Sequence, residues 1–252
     1  MLEVKVPLRR RLIAEFCGSG LLVTVVVGSG IAAEALSADD VGLQLLENST
    51  ATVFGLAVLI LIFGPVSGGH FNPVVSAADW LLGRRAGTGL SGAEVAAYST
   101  VQVVGAVLGA VLANVMFDLP AMQISATDRA SVSHGIGEVV ATAGLVLLII
   151  ALARSGRAGL SAAAVGAYIG AAYWFTSSTS FANPAVTIGR IFSDTFAGIA
   201  PSSAPLFIAA QLIGAAAGLG LVLLLYPDAP QAADRVVVPH PATTTTSTSK
   251  ET

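Results

Sequence analysis

Charge is what this sequence has least of. Only 11% of its 252 residues are charged, against about 25% in soluble domains. A chain that is 54% hydrophobic is not built for water as its main solvent. Cysteine is nearly absent as well. Cys17 stands alone in an apolar stretch, which excludes an internal disulfide framework and any multi-cysteine metal site and reads as a small buried apolar residue. The sequence has no clustered metal ligands, no phosphate-cradling glycine loop and no nucleophile–base pair. These absences argue against an enzyme, a bound metal, a cofactor or a nucleic-acid partner. Of the three histidines, His134 and His240 carry no partner pattern.

Long apolar runs take the place of charge. Crossing about 30 Å of hydrocarbon takes about 20 apolar residues. Six runs qualify, at about Leu12–Ala33, Ser49–Val66, Ala93–Phe117, Ser133–Ala153, Gly159–Thr176 and Leu206–Tyr226. The first exceeds the apolar core of a signal peptide and contains Glu15, so it reads as a retained span. Six spans with both ends inside place ten of the twelve lysines and arginines on the cytoplasmic side and leave only Arg129 and Arg190 outside. That asymmetry predicts a multi-pass protein of the inner (plasma) membrane with both termini cytoplasmic.

The chain also repeats itself. Glu15 corresponds to Glu138, the segment Gly69–Val75 to Phe181–Val186, and Gln102 to Gln211, at offsets of 123, 111 and 109 residues. Each copy holds three spans, an odd number, so the second copy is upside down relative to the first. Inverted repeats of this kind place a functional path at their interface near the membrane midplane. The domain reading is a single transmembrane unit over 1–226, with repeats at about 11–117 and 133–226. A Pro-, Thr- and Ser-rich tail over 227–252 is expected to be disordered and cytoplasmic.

Between spans two and three, Ser67-Gly68-Gly69-His70-Phe71 leads into Asn72-Pro73-Val74. The segment is too short to cross the membrane and too apolar for a solvated loop. Pro suits the first helical position, where its missing N–H would be unpaired in any case. The same logic applies to Ser177–Ala182 before Asn183-Pro184-Ala185. Each segment reads as a re-entrant unit, an extended strand followed by a half-helix. The fold class is therefore all-α, with six transmembrane helices and two re-entrant half-helices in an inverted 3+3 repeat. With the halves inverted, the half-helices meet at their positive N-terminal ends. Asn72 and Asn183 then stand at the pore centre, and carbonyls of Gly68, Gly69, His70 and Phe71 and of Ser178, Thr179, Ser180 and Phe181 form a ladder of acceptors. Glu15 and Glu138 lie inside spans, so each is a functional candidate; their symmetric placement favours a structural role as acceptors for loop N–H groups. Gln102 and Gln211 read as glue between helices, and His70 as an anchor of the loop rather than a gate.

These motifs resemble those of the aquaporin, or major intrinsic protein, family over about Arg11–Tyr226. The resemblance implies channels for small neutral solutes, a structural role for the two glutamates and a homotetramer in the lipid bilayer. Family members usually carry an arginine directly after the second Asn-Pro-Ala, where this chain has Val186. Matching the remaining filter positions by spacing from the motifs gives Thr52, Ala171 and Ser180. Water-selective members place bulky aromatic and histidine side chains at the first two. Small residues there imply a widened, arginine-free filter suited to polyols or metalloid hydroxides.

Arg190 lies four residues after Val186, one turn along the same face. Two placements are open for it, the outer vestibule or the lipid headgroups. Val186 together with Thr52 also resembles a subgroup of bacterial aquaglyceroporin-like channels associated with arsenic resistance. The expected function is passive passage of water, glycerol-like polyols and arsenite. A water-selective channel, an ion-coupled secondary transporter and a scaffold in a channel fold are the alternatives.

Overall fold

The computed structural model describes residues 6–84 and 87–226. Among these, all regular structure is helical: α1 (Leu8–Leu36), α2 (Val41–Ser67), α3 (Pro73–Gly83), α4 (Gly92–Met116), α5 (Val132–Arg154), α6 (Ser161–Phe175), α7 (Pro184–Gly189) and α8 (Ala204–Leu225). A single 3-10 turn precedes α6 and another follows α7. Six helical segments are long and apolar enough to cross a membrane, and the short α3 and α7 are the half-helices. The tail expected over 227–252 lies outside the described residues.

The first two spans run well beyond their apolar runs. At 29 residues, α1 extends about 43 Å at 1.5 Å per residue. It starts at Leu8 and carries Arg9, Arg10 and Arg11 in its first turn, ahead of the apolar run that begins at Leu12. Arg11 forms an ion pair with Glu94 and lies over the ring of Tyr98. Side-chain caps mark the starts of α2, α4 and α5: Asp40 accepts from Leu43 N at 2.9 Å, Ser91 and Glu94 form a reciprocal box, and Ser131 accepts from His134 N at 3.1 Å. Each such cap pairs a donor that the first helical turn leaves bare.

The packing repeats across the two halves. In the first, α1 packs on α4 and α2; in the second, α5 packs on α8 and α6. Each half-helix lies on the third long helix of its own half and also on that of the other, α3 on α4 and α8, α7 on α8 and α4. Large apolar side chains such as Phe54, Leu61, Ile62, Ile213 and Leu224 remain exposed, which suits a surface solvated by lipid rather than water.

In a bilayer, lipid tails are as apolar as leucine, so helices associate through close van der Waals packing of small residues. The α1–α4 contact shows how close. A Cβ added at Gly109 would lie 2.1 Å from the carbonyl oxygen of Gly20, and one at Gly105 2.3 Å from that of Phe16. The mirror contact is equally tight, with Gly214 and Gly218 each 2.5 Å from the backbone oxygens of Val139 and Ala143 by the same measure. Backbone obstructs these positions, and it cannot rotate away as a side chain can. Gly109→Val should therefore abolish recovery of folded protein from membranes, judged by size exclusion in detergent. Gly220→Ala, where a Cβ meets nothing within 4 Å, should leave recovery unchanged.

Candidate functional site

Two buried glutamates organise the site. Glu15 accepts from Ser67 Oγ at 2.6 Å, His70 N at 3.0 Å, Phe71 N at 2.7 Å and Gln102 Nε2 at 2.7 Å. Glu138 accepts from Ser178 Oγ at 2.6 Å, Phe181 N at 2.8 Å, Ala182 N at 2.8 Å and Gln211 Nε2 at 2.6 Å. Each carboxylate thus satisfies two loop amides, one hydroxyl and one amide side chain. Neither lines the cavity described below. The two glutamines complete the match by also donating to Ser76 Oγ and Thr187 Oγ1.

The loops so held are bent alike. Gly68, Gly69 and Phe71 have φ of 93°, 62° and 48°, and their counterparts Thr179, Ser180 and Ala182 have 60°, 51° and 48°. In the first loop two glycines take this conformation at little cost. In the second, three residues with side chains take it at about 1 kcal/mol or more each, which the four hydrogen bonds to Glu138 offset.

At the end of each loop the asparagine side chain acts as helix cap and crosslink. Asn72 Oδ1 accepts from Val74 N at 3.1 Å, and Asn183 Oδ1 from Ala185 N at 2.9 Å. Asn72 Nδ2 donates to the carbonyl of Ala182, and Asn183 Nδ2 to that of Phe71, both at 2.8 Å. The two half-helices therefore meet end to end at their N-termini. An amide carries two N–H donors, so each asparagine keeps one for an occupant.

Both asparagines line a narrow cavity of about 60 Å³. Its apolar wall comes in matched pairs from the two halves: Leu22 with Leu145, Val26 with Ile149, Leu56 with Val165, and Ile60 with Ile169. Its polar groups come from the loops and from Thr52, Tyr173 and Arg190. Among the described residues, no Asp or Glu lines it. A water needs roughly 10–15 Å³ by such a measure, so the space suits a few small molecules in file.

The structure brings Gly69, His70, Phe71, Ser180 and Phe181 to the cavity, together with Thr52 and Val186. It does not bring Gly68, Ser178 or Thr179 there. Gly68 ends α2, and the Ser178 hydroxyl is committed to Glu138. The Phe71 carbonyl, expected to be a free rung, is already taken by Asn183. His70 both faces the cavity and is anchored, its Nδ1 lying 3.0 Å from Ser76 Oγ and its ring against Tyr98.

Two filter expectations need correction. Ala171 is exposed and does not line the cavity. The buried stripe of α6 runs Ala162, Val165, Ile169, Tyr173, and counting backward from the motif missed that register by two residues. Tyr173 takes the place, its hydroxyl 3.3 Å from Thr52 Oγ1, so this part of the lining is aromatic rather than small. The cavity is also not free of arginine, because Arg190 is buried and lines it.

Sequence reasoning also missed Arg129, which binds the carbonyls of Gly198 and Phe196 at 2.8 and 2.9 Å and lies over Phe181. Burial pushes its guanidinium below the ordinary arginine range. Ser67 and Ser178, at the same offset of 111 as the asparagines, could have been found from the repeat.

Two inverted copies, each capped by an Asn-Pro and tied by a buried glutamate, match what comparison with known proteins finds. The Major intrinsic protein family profile matches residues 3–180 and 160–250. The chain belongs to this family. It is 49% identical over 224 residues to the aquaglyceroporin AqpS of Rhizobium meliloti (strain 1021), covering 88% of this chain and 93% of that protein. It is 30% identical over 226 residues to Aquaporin Z of Brucella melitensis biotype 1, covering 82% and 94%. The X-ray structure of the aquaglyceroporin from Plasmodium falciparum superposes with a TM-score of 0.62 at 19% identity, covering 90% of this chain and all of that one, a likeness of fold. As a member of the Major intrinsic protein family, this chain is a multi-pass membrane protein of a channel family and not an enzyme.

Two measurements check the site. Glu138→Gln replaces an acceptor by an N–H₂ group facing loop donors, and leaving one or two of those unpaired should lower stability by roughly 3 kcal/mol, read as a fall in the thermal midpoint of the purified protein. Tyr173→Ala should raise the flux of larger polyols relative to glycerol in proteoliposomes, whereas Ala171→Phe should leave that ratio where it is in the parent protein.

Proposed function

We propose that this protein is a passive channel for small uncharged polar solutes, namely water, glycerol-like polyols and metalloid hydroxides such as arsenite. The observation that carries the reading is the cavity through the paired Asn-Pro ends, apolar on its helix side, polar on its loop side, and without a carboxylate. A neutral solute can exchange its hydration for the free asparagine N–H groups while its carbon or metalloid core rests on Leu, Val and Ile. Two converging helix N-termini oppose a cation at that point.

An ion-coupled transporter needs a titratable or cation-binding carboxylate on the path. Glu15 and Glu138 are occupied with four loop and helix donors each instead. Arsenite enters the proposal because As(OH)₃ is neutral near pH 7 and presents hydroxyls much as a polyol does. The names of the aquaglyceroporin relatives support the polyol part of the proposal. Both termini on the cytoplasmic side of the inner membrane, and a homotetramer with one pore in each subunit, complete it.

In proteoliposomes, glycerol and arsenite should cross far faster than in empty liposomes and without any need for a proton or sodium gradient. Val186→Arg should cut glycerol and arsenite flux relative to water flux by about tenfold or more, since a second guanidinium would crowd a cavity that already holds one. Solute flux equal to that of empty liposomes would overturn the proposal.

A further inference from the structure

Arg190 is the least expected residue in the cavity lining. It is the C-cap of α7, one turn beyond Val186, and is only 3% exposed. Its Nε donates to the carbonyl of Ala197, and its guanidinium carbon lies 3.4 Å from the centre of the Phe181 ring. Those contacts use one of its five N–H donors. Among the described residues, its two terminal amino groups find no hydrogen-bond partner, and the side chain lines the cavity shared with Thr52, Tyr173 and Ser180. The Ser180 hydroxyl has no partner among the described residues either.

What stabilises the guanidinium is therefore incomplete: a carbonyl, an aromatic face and the negative end of a short helix, with no carboxylate among the described residues bound to it. Arg129 braces the arrangement from behind. It shares the Phe181 ring and holds the carbonyls of Phe196 and Gly198, on either side of the Ala197 carbonyl that fixes Arg190. A charge held in this way, with free donors aimed into a cavity, is placed to bind something that enters.

We propose that Arg190 is the specificity-determining residue of this channel. It reaches the filter from one turn further along α7 and supplies the fixed cation and paired donors that Val186 lacks. With the hydroxyls of Thr52, Tyr173 and Ser180 it forms a site for a neutral solute bearing neighbouring hydroxyl groups. It receives two oxygens of that solute, and its bulk sets the upper size limit. Arg129 acts as a positioning residue, through Phe181 and the 196–198 loop. The inference rests on the reading of the chain as a neutral-solute channel.

The test compares sorbitol with glycerol flux in proteoliposomes for the parent protein, Arg190→Ser, Arg190→Lys and the double variant Val186→Arg with Arg190→Ser. Arg190→Ser should raise the sorbitol-to-glycerol flux ratio at least about tenfold, because both bulk and paired donors leave the cavity. Arg190→Lys, which keeps the charge but not the fork, should fall between it and the parent. The double variant, with the arginine moved one turn, should bring the ratio back toward the parent value. A merely structural role for Arg190 predicts no such restoration. An unchanged ratio in Arg190→Ser, or a double variant that does not restore it, overturns the proposal. Failure of both the single serine and the double variants to insert would also overturn it, by showing that Arg190 serves packing alone. If the parent protein itself passes no glycerol, it is the channel reading that fails.

Discussion

Backbone that leaves a helix inside a bilayer has no water to turn to, so each of its N–H groups needs a partner in the chain. Glu15 and Glu138 meet that requirement, and the rest of the molecule is arranged around them. Each sits on the first long helix of its half and reaches the loop before the half-helix. Each is steadied by a glutamine from the third long helix. For the carboxylates to reach that far, the helices carrying them must lie almost in backbone contact, which is the service of Gly20, Gly105 and Gly109 in one half and Gly214 and Gly218 in the other. The glycine stripes and the intramembrane charges answer one geometric demand.

With the loops held, the cavity takes its character from two sources. The four helices α1, α2, α5 and α6 give it an apolar wall in symmetric pairs, and the loops, joined by Thr52, Tyr173 and Arg190, give it polar groups. The symmetry ends at the mouth lined by Thr52, Tyr173 and Arg190. Val186 still has its counterpart, Val75, in the lining, but Tyr173 and Arg190 have no counterpart from the first half there. The inverted repeat builds a path, and departures from the repeat differentiate its ends. The price of the second loop's shape is backbone strain at Thr179, Ser180 and Ala182, borne beside the same asymmetric mouth.

Much of this was legible in the sequence because it rests on repetition and on local rules. Apolar length gave the six spans, the odd number of spans in each half gave inversion, and Asn-Pro gave the half-helix starts. Glu15 and Glu138 could be assigned to loop amides from their matching positions alone. The filter was less legible, for a physical reason. Which residue of α6 faces inward depends on helix register, and a fixed count from the motif carries no register information. The stripe at four-residue spacing through Val165, Ile169 and Tyr173 does carry it. Arg190 was legible as a candidate but not as a cavity residue, since its direction is set by Ala197 and Phe181, partners that no local pattern connects to it. Arg129 was invisible because its side chain meets carbonyls of a loop about 70 residues away and the ring of Phe181, partners that no local pattern connects to it.

The crossed asparagines also have a consequence in time. Asn72 donates to Ala182, 110 residues further along the chain, and Phe71 receives from Asn183. When the first half leaves the ribosome, neither partner has been made. From Met116, where the third span of the first half ends, to Ala182 is a stretch of 66 residues, made in roughly 3 to 13 s at translation rates of about 5–20 residues per second. Throughout it, a completed three-helix half carries an uncapped carbonyl and a free amide at its own inner end. Lipid cannot satisfy them, so the nascent half must keep that end wet or sheltered within the insertion machinery until its counterpart arrives. A pore centre made by two halves is, during synthesis, an open wound in the first of them.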